Sequence, residues 1–88
     1  MAGRPRPSRG QIRALLAIDE LTRSMGYPPT LREISAKLGS PNTTTAYDFV
    51  NRLERAGLVT RSPKVARGLT ITEEGKDVLL YERIEARG

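Results

Sequence analysis

The sequence predicts an α+β domain that is mainly α: a three-helix body, a two-stranded hairpin and an extra C-terminal helix. Three observations carry this reading. Apolar residues recur at helical spacing in three groups, each followed by a glycine: Gly26, Gly39 and Gly57. Two of these groups open on a capping box, Ser8 with Gln11 and Thr30 with Glu33. After Gly57, two strand-like segments flank a basic loop that contains a proline.

Residues 1–7 read as a disordered basic arm, because Gly3, Pro5 and Pro7 oppose regular structure. The first helix is expected at about 9–25. Ile12, Leu15, Leu16, Ile18, Leu21 and Met25 form its apolar face, and Gly26 stops it. Tyr27-Pro28-Pro29 is a stiff connector. Leu31, Ile34 and Leu38 mark one face of a short second helix ended by Gly39. Ser40-Pro41-Asn42 forms a turn, with Asn42 the expected N-cap of a third helix. That helix buries Ala46, Phe49, Val50 and Leu53 and ends at Gly57. Leu58-Val59-Thr60 and Gly68 to Thr72 are the strands of the hairpin, and Arg61 to Arg67 is its charged tip. Thr72 caps a last helix over about 73–86.

Two short helices joined by a tight turn with a glycine at the junction are the pattern of a helix-turn-helix, although helical hairpins of unrelated bundles share it. With the hairpin added, the architecture is a winged helix-turn-helix over residues 8–72. The segment 73–88 is an added helix.

Composition narrows the function. Eighty-eight residues make one domain, and 38% are hydrophobic. No run of about 18 apolar residues is present to span a membrane, and no apolar block follows the first basic residues as in a secretory signal. The expected location is cytoplasmic, on the nucleoid. Cysteine and histidine are both absent. That excludes disulfides, zinc fingers and His- or Cys-based catalysis, so no metal, no cofactor and no enzymatic activity are expected. The scattered carboxylates read as solvated charged faces.

The net charge is +5, and its distribution is uneven. Residues 1–10 carry Arg4, Arg6 and Arg9 without an acid, and residues 61–68 carry Arg61, Lys64 and Arg67 without an acid. The stretch 11–60 is near balance, and 69–88 has more acids than bases. Two basic flanks on a balanced body suit a polyanionic partner, above all nucleic acid.

From about Ser8 to Thr72 the chain resembles the DNA-binding domain of the LexA repressor family. The resemblance rests on Gly26-Tyr27-Pro28-Pro29-Thr30-Leu31-Arg32-Glu33-Ile34, on Leu38-Gly39, on Thr44-Thr45-Ala46-Tyr47, on Arg52 to Val59, and on Ala66-Arg67-Gly68-Leu69. Its most specific part is Gly-x-Pro-Pro-Thr-x-x-Glu-Ile. The Arg-Leu-Glu-x-x-Gly-Leu-Val segment is shared with other winged helices, including MarR-like regulators. The resemblance implies a repressor-like role, with the third helix in a DNA major groove. It also implies a departure. Repressors of that family carry a second, self-cleaving Ser–Lys protease domain, and the residues to Gly88 leave no room for one, so self-cleavage is not expected.

The third helix, buried along 46, 49, 50 and 53, presents Thr44, Thr45, Tyr47, Asp48 and Asn51 outward. Recognition helices read base edges mainly from their N-terminal residues. The threonines offer hydroxyls to phosphates and methyls to thymine, and Asn51 has the donor and acceptor that adenine recognition requires. Tyr47 is suited to a sugar, phosphate or base. Asp48 is expected to pair with Arg52 one turn on, or else to accept from cytosine N4, and Arg52 is itself a DNA-contact candidate. Thr30 and Arg32 at the start of the second helix, together with Asn42, are further DNA-contact candidates near the backbone. Arg4, Arg6 and Arg9 of the arm, and Arg61, Lys64 and Arg67 of the wing, are candidates for phosphates or the minor groove.

A lone domain with about five phosphate contacts binds weakly at physiological salt, so a homodimer on two half-sites is expected. Val78, Leu79, Tyr81 and Ile84 of the last helix are candidates for that dimerisation surface. The alternative is that this face packs on the first helix. The rival function is a winged-helix adaptor acting mainly through protein–protein contact. RNA binding ranks below both, since there is no aromatic stacking platform beyond Tyr27, Tyr47, Phe49 and Tyr81.

Overall fold

The computed structural model describes residues 7–62 and 67–87. Arg4, Arg6 and Lys64 lie outside the described residues, and with them most of the expected arm and the tip of the hairpin. The element order is α1 (Arg9–Met25), α2 (Leu31–Leu38), α3 (Thr44–Arg55), β1 (Val59–Arg61), β2 (Leu69–Ile71) and α4 (Glu73–Arg87). This is the winged helix-turn-helix read from the sequence, with an added C-terminal helix.

Local chemistry sets the helix ends. The Ser8 hydroxyl accepts from Gln11 N–H at 3.1 Å while Gln11 Oε1 accepts from Ser8 N–H at 2.8 Å. The Thr30–Glu33 box does the same at the start of α2, at 3.2 and 2.8 Å. Both boxes satisfy amides that the first helical turn leaves without partners. Gly26 and Gly39 close α1 and α2 in the left-handed region, at φ 82° and 77°, where a side chain is disfavoured.

The start of α3 differs by one residue from the expectation. Thr43, not Asn42, is the N-cap, and its hydroxyl makes no capping bond. Asn42 Oδ1 instead accepts from Thr44 N–H at 3.0 Å, two residues on. Asparagine makes this local turn readily, so Asn42 still serves the helix entrance, from one position further back.

Leu15 and Ile18 of α1, Ile34 of α2, and Ala46, Val50 and Leu53 of α3 form the centre of the core, each almost wholly buried. Leu58, Val59 and Leu69 extend it under the hairpin. The strands pair antiparallel in the register Val59↔Ile71, Thr60↔Thr70 and Arg61↔Leu69. Thr72 caps α4 as expected: its hydroxyl accepts from Gly75 N–H at 3.1 Å and donates to the Gly57 carbonyl at 2.6 Å. That second bond anchors the start of α4 to the end of α3.

One expectation about α4 is corrected. Leu79 is 3% exposed and belongs to the core, with Val78 partly buried against it, so neither supplies a free dimer surface. The alternative of packing on α1 prevails, and Arg83 pairs with Asp19 of α1. Tyr81 and Ile84 are exposed, as is Leu80. The periodicity of α4 identified apolar positions but not which of them α1 and the hairpin would cover.

Candidate nucleic-acid interface

A helix turns about 100° per residue, so the side buried on Ala46, Val50 and Leu53 fixes the side that faces out. Thr44, Asp48, Asn51 and Arg55 fall along the middle of the outward face. Tyr47 and Glu54 flank it on one side, Thr45 and Arg52 on the other. Thr44, Thr45, Tyr47, Asp48, Arg52 and Arg55 are exposed, and Asn51 is half-buried. Arg55 belongs to this stripe, one turn beyond Asn51, although the sequence reading passed over it. Its spacing was the available signal. Arg52 borders a groove with Pro7, Gln11 and Asp77, so it lies beside α1 and α4.

The expected Asp48–Arg52 pair is not formed, and among the described residues no ion pair involves either side chain. Both are exposed, and a long arginine side chain gains little by holding one geometry on an exposed helix face. Asp48 therefore stands as an uncompensated carboxylate in the middle of the outward face.

The wing arginines are the largest difference from the expectation. Arg61 and Arg67 were candidates for phosphate contact, yet both turn back onto the protein. Arg61 Nη2 donates to Asn51 Oδ1 at 2.8 Å and lies 3.5 Å from Glu54 Oε1, and the guanidinium carbon sits 5.5 Å from the centre of the Tyr47 ring. Arg67 donates to both Glu33 oxygens, at 2.8 and 3.1 Å, and to the Pro28 carbonyl at 2.9 Å. Its guanidinium also stacks over Tyr27 at 4.7 Å. Aligned carboxylate, carbonyl and aromatic partners satisfy an arginine fork in ways that water does not. No sequence signal marks these partners, because the residues lie far apart in the chain.

The Arg67 guanidinium, aided by the Thr30 N–H, holds the Glu33 carboxyl at about 2 against an ordinary 4.5. The same bonds raise the Arg67 pKa. The Thr30 hydroxyl, a DNA-contact candidate, is engaged as the α2 cap acceptor. Arg9 and Arg32 remain exposed at the starts of α1 and α2.

The described residues hold no group of three or more Asp, Glu, His or Cys able to bind a metal ion, and none of their helices is long and apolar enough to cross a membrane.

Residues 7–68 match the family model described as the LexA DNA binding domain, a stretch that ends just before β2. The LexA repressor of Pediococcus pentosaceus is 35% identical over 72 residues, covering 82% of this chain and 34% of that protein. The LexA repressor of Oenococcus oeni is 40% identical over 65 residues, covering 74% and 31%. The LexA repressor of Limosilactobacillus fermentum is 38% identical over 76 residues, covering 85% and 36%. The chain thus spans about a third of the length of the curated relatives it matches.

Proposed function

The chain belongs to the LexA DNA-binding domain family, and from that premise we propose that it is a sequence-specific double-stranded DNA-binding regulator acting as a repressor, with α3 in the major groove. The observation that carries the reading is the outward face of α3. It joins small hydroxyls, a carboxylate, an amide and an arginine on one exposed stripe of a helix whose other side is locked in the core. A helix held this rigidly presents its polar groups at fixed spacing, as base reading requires.

In this reading Thr44, Thr45, Tyr47, Asp48 and Asn51 approach base edges. Asp48 accepts from cytosine N4, the role left to it now that Arg52 does not engage it. Arg9, Arg32, Arg52 and Arg55 contact phosphates, and Thr30 and Asn42 lie near the backbone. Arg4, Arg6 and Lys64 reach phosphates or the minor groove from the arm and the wing tip. Asn42 engages Thr44 N–H, but Thr43 caps none of the amides that follow, which leaves backbone donors in the first turn of α3 suited to a phosphate.

Homodimerisation is part of the proposal, with the exposed Leu80, Tyr81 and Ile84 of α4 as its surface. The adaptor reading draws on the same three residues. Sedimentation of the isolated chain, with and without duplex, separates the two: self-association stimulated by DNA favours the regulator.

The deciding experiment is a salt titration on random duplex and on a site obtained by selection. About five phosphate contacts per domain give a slope of roughly −4 to −5 in log K against log salt for each domain bound, and about twice that for a dimer. The selected site should bind at least ~10³-fold more tightly than random sequence. Absence of duplex binding at low salt would overturn the proposal.

A further inference from the structure

Asn51 is the one amide on the outward stripe of α3, and its orientation is not free. Arg61 carries only donors, so the atom 2.8 Å from its Nη2 has to be the amide oxygen. Arg61 is itself constrained. Its backbone is paired in β1 opposite Leu69, its guanidinium lies against the Tyr47 ring, and Glu54 Oε1 is 3.5 Å away. Tyr47, Asn51 and Glu54 occupy successive turns on the wing side of α3, and the arginine runs along all three. The wing therefore holds the Asn51 oxygen towards itself. The Nδ2 group takes the other side of the amide, and no described residue accepts from it.

We infer that Arg61 is a positioning residue that makes Asn51 a pure donor to the DNA, so that this position reads an acceptor edge, guanine in preference to adenine. This rests on α3 being the reading helix. Adenine is recognised by asparagine through a paired donor and acceptor, with the oxygen on N6–H and the nitrogen on N7. The oxygen keeps a second lone pair, but turned towards Arg61 it is not presented beside Nδ2 to a single base, so the donor half faces the DNA and adenine N6–H is left facing an N–H. Guanine offers O6 and N7, both acceptors. The expectation taken from Asn51 alone, adenine, is thereby replaced.

The test is site selection from randomised duplexes, followed by binding to single-base variants of the selected site. Wild type should show one position at which guanine is favoured over adenine by about tenfold, the scale of a good base contact. Asn51→Ala should flatten that position alone. Asn51→Asp keeps the oxygen facing Arg61 and turns the outward group into an acceptor, so the preference should move to cytosine or adenine, which present donors. Arg61→Met should admit adenine to within about twofold of guanine, and Arg61→Lys should retain the wild-type order.

The Asn51→Asp arm stands even if Arg61→Met does not fold, because it preserves the Arg61 contact. An Arg61→Met profile that weakens equally on all sequences would make Arg61 an ordinary phosphate ligand and overturn the inference. So would an adenine preference in wild type that depends on Asn51. Wild type that binds no duplex overturns the parent proposal as well, whereas binding with an unaltered profile in Asn51→Asp overturns this inference alone.

Discussion

Arg67 and Glu33, 34 residues apart in the chain, close a two-pronged ion pair between the returning limb of the wing and the first turn of α2. The same carboxylate accepts from Thr30 N–H in the capping box, so one side chain ends a helix and holds the wing. A bidentate carboxylate–guanidinium pair is directional as well as strong, and here it sets where the limb that becomes β2 leaves the body.

Glu33→Gln tests this pair through pH. Glutamine keeps the capping-box acceptor but loses the charge that Arg67 requires. The folded Glu33 carboxyl titrates at about 2, below its ordinary 4.5. A depressed carboxyl contributes stability that is full above about 4.5 and is lost as pH falls through about 2. The expected result is a lower melting temperature than wild type at pH 7, with the gap closing steadily below pH 4.5. A gap independent of pH over that range would show that the charge is not what matters.

Arg67→Ala should act on the wing rather than on phosphates. The expected outcome is faster hydrogen exchange at β1 and β2 with protection in α1 maintained. Unchanged exchange in the wing, with a drop of about one in the salt slope of DNA binding, would restore Arg67 to the phosphate contacts.

Gly75 lies in the first turn of α4 against Leu58, in the link from α3 to β1, and Ile71 of β2. A Cβ there would stand 2.2 Å from the Leu58 carbonyl oxygen and 2.7 Å from Ile71 Cγ2. Alanine is the better helix former by ~1 kcal/mol. The clash is with backbone, however, and overpacking of this kind costs about 1–3 kcal/mol or more. Gly75→Ala is expected to destabilise in urea unfolding, opposite in sign to the propensity rule.

Ser35 is 3% exposed, and its hydroxyl oxygen has no hydrogen-bond partner. Burying a hydroxyl without a partner costs about 1–3 kcal/mol, and alanine removes that cost while leaving a small void. Ser35→Ala should be neutral or raise stability by up to about 1 kcal/mol, as read from the denaturation midpoint.

Asp48→Ala should separate affinity from specificity. Removing an unpaired carboxylate from the reading face lowers repulsion from phosphates, so random duplex should bind more tightly. The ratio of selected to random affinity should fall, by about 5- to 100-fold if Asp48 accepts from a cytosine. Equal gains on both duplexes would remove Asp48 from base reading.

The helix boundaries apart from the cap of α3, the two capping boxes, the left-handed glycines and the buried side of α3 were legible in the sequence. Each depends on residues within about four positions of one another, where backbone geometry and spacing act alone. The outward stripe of α3 was legible for the same reason, because the buried side of a helix defines its exposed side. The tertiary structure decided what that stripe and the wing are joined to. It turned Arg61 onto Asn51 and Arg67 onto Glu33, left Asp48 without Arg52, and drew Leu79 into the core while leaving Ile84 outside. These outcomes depend on groups brought together from distant parts of the chain, whose proximity exists only after the core has closed. An arginine fork goes to whichever carboxylate, amide or ring the closed core has placed within its reach.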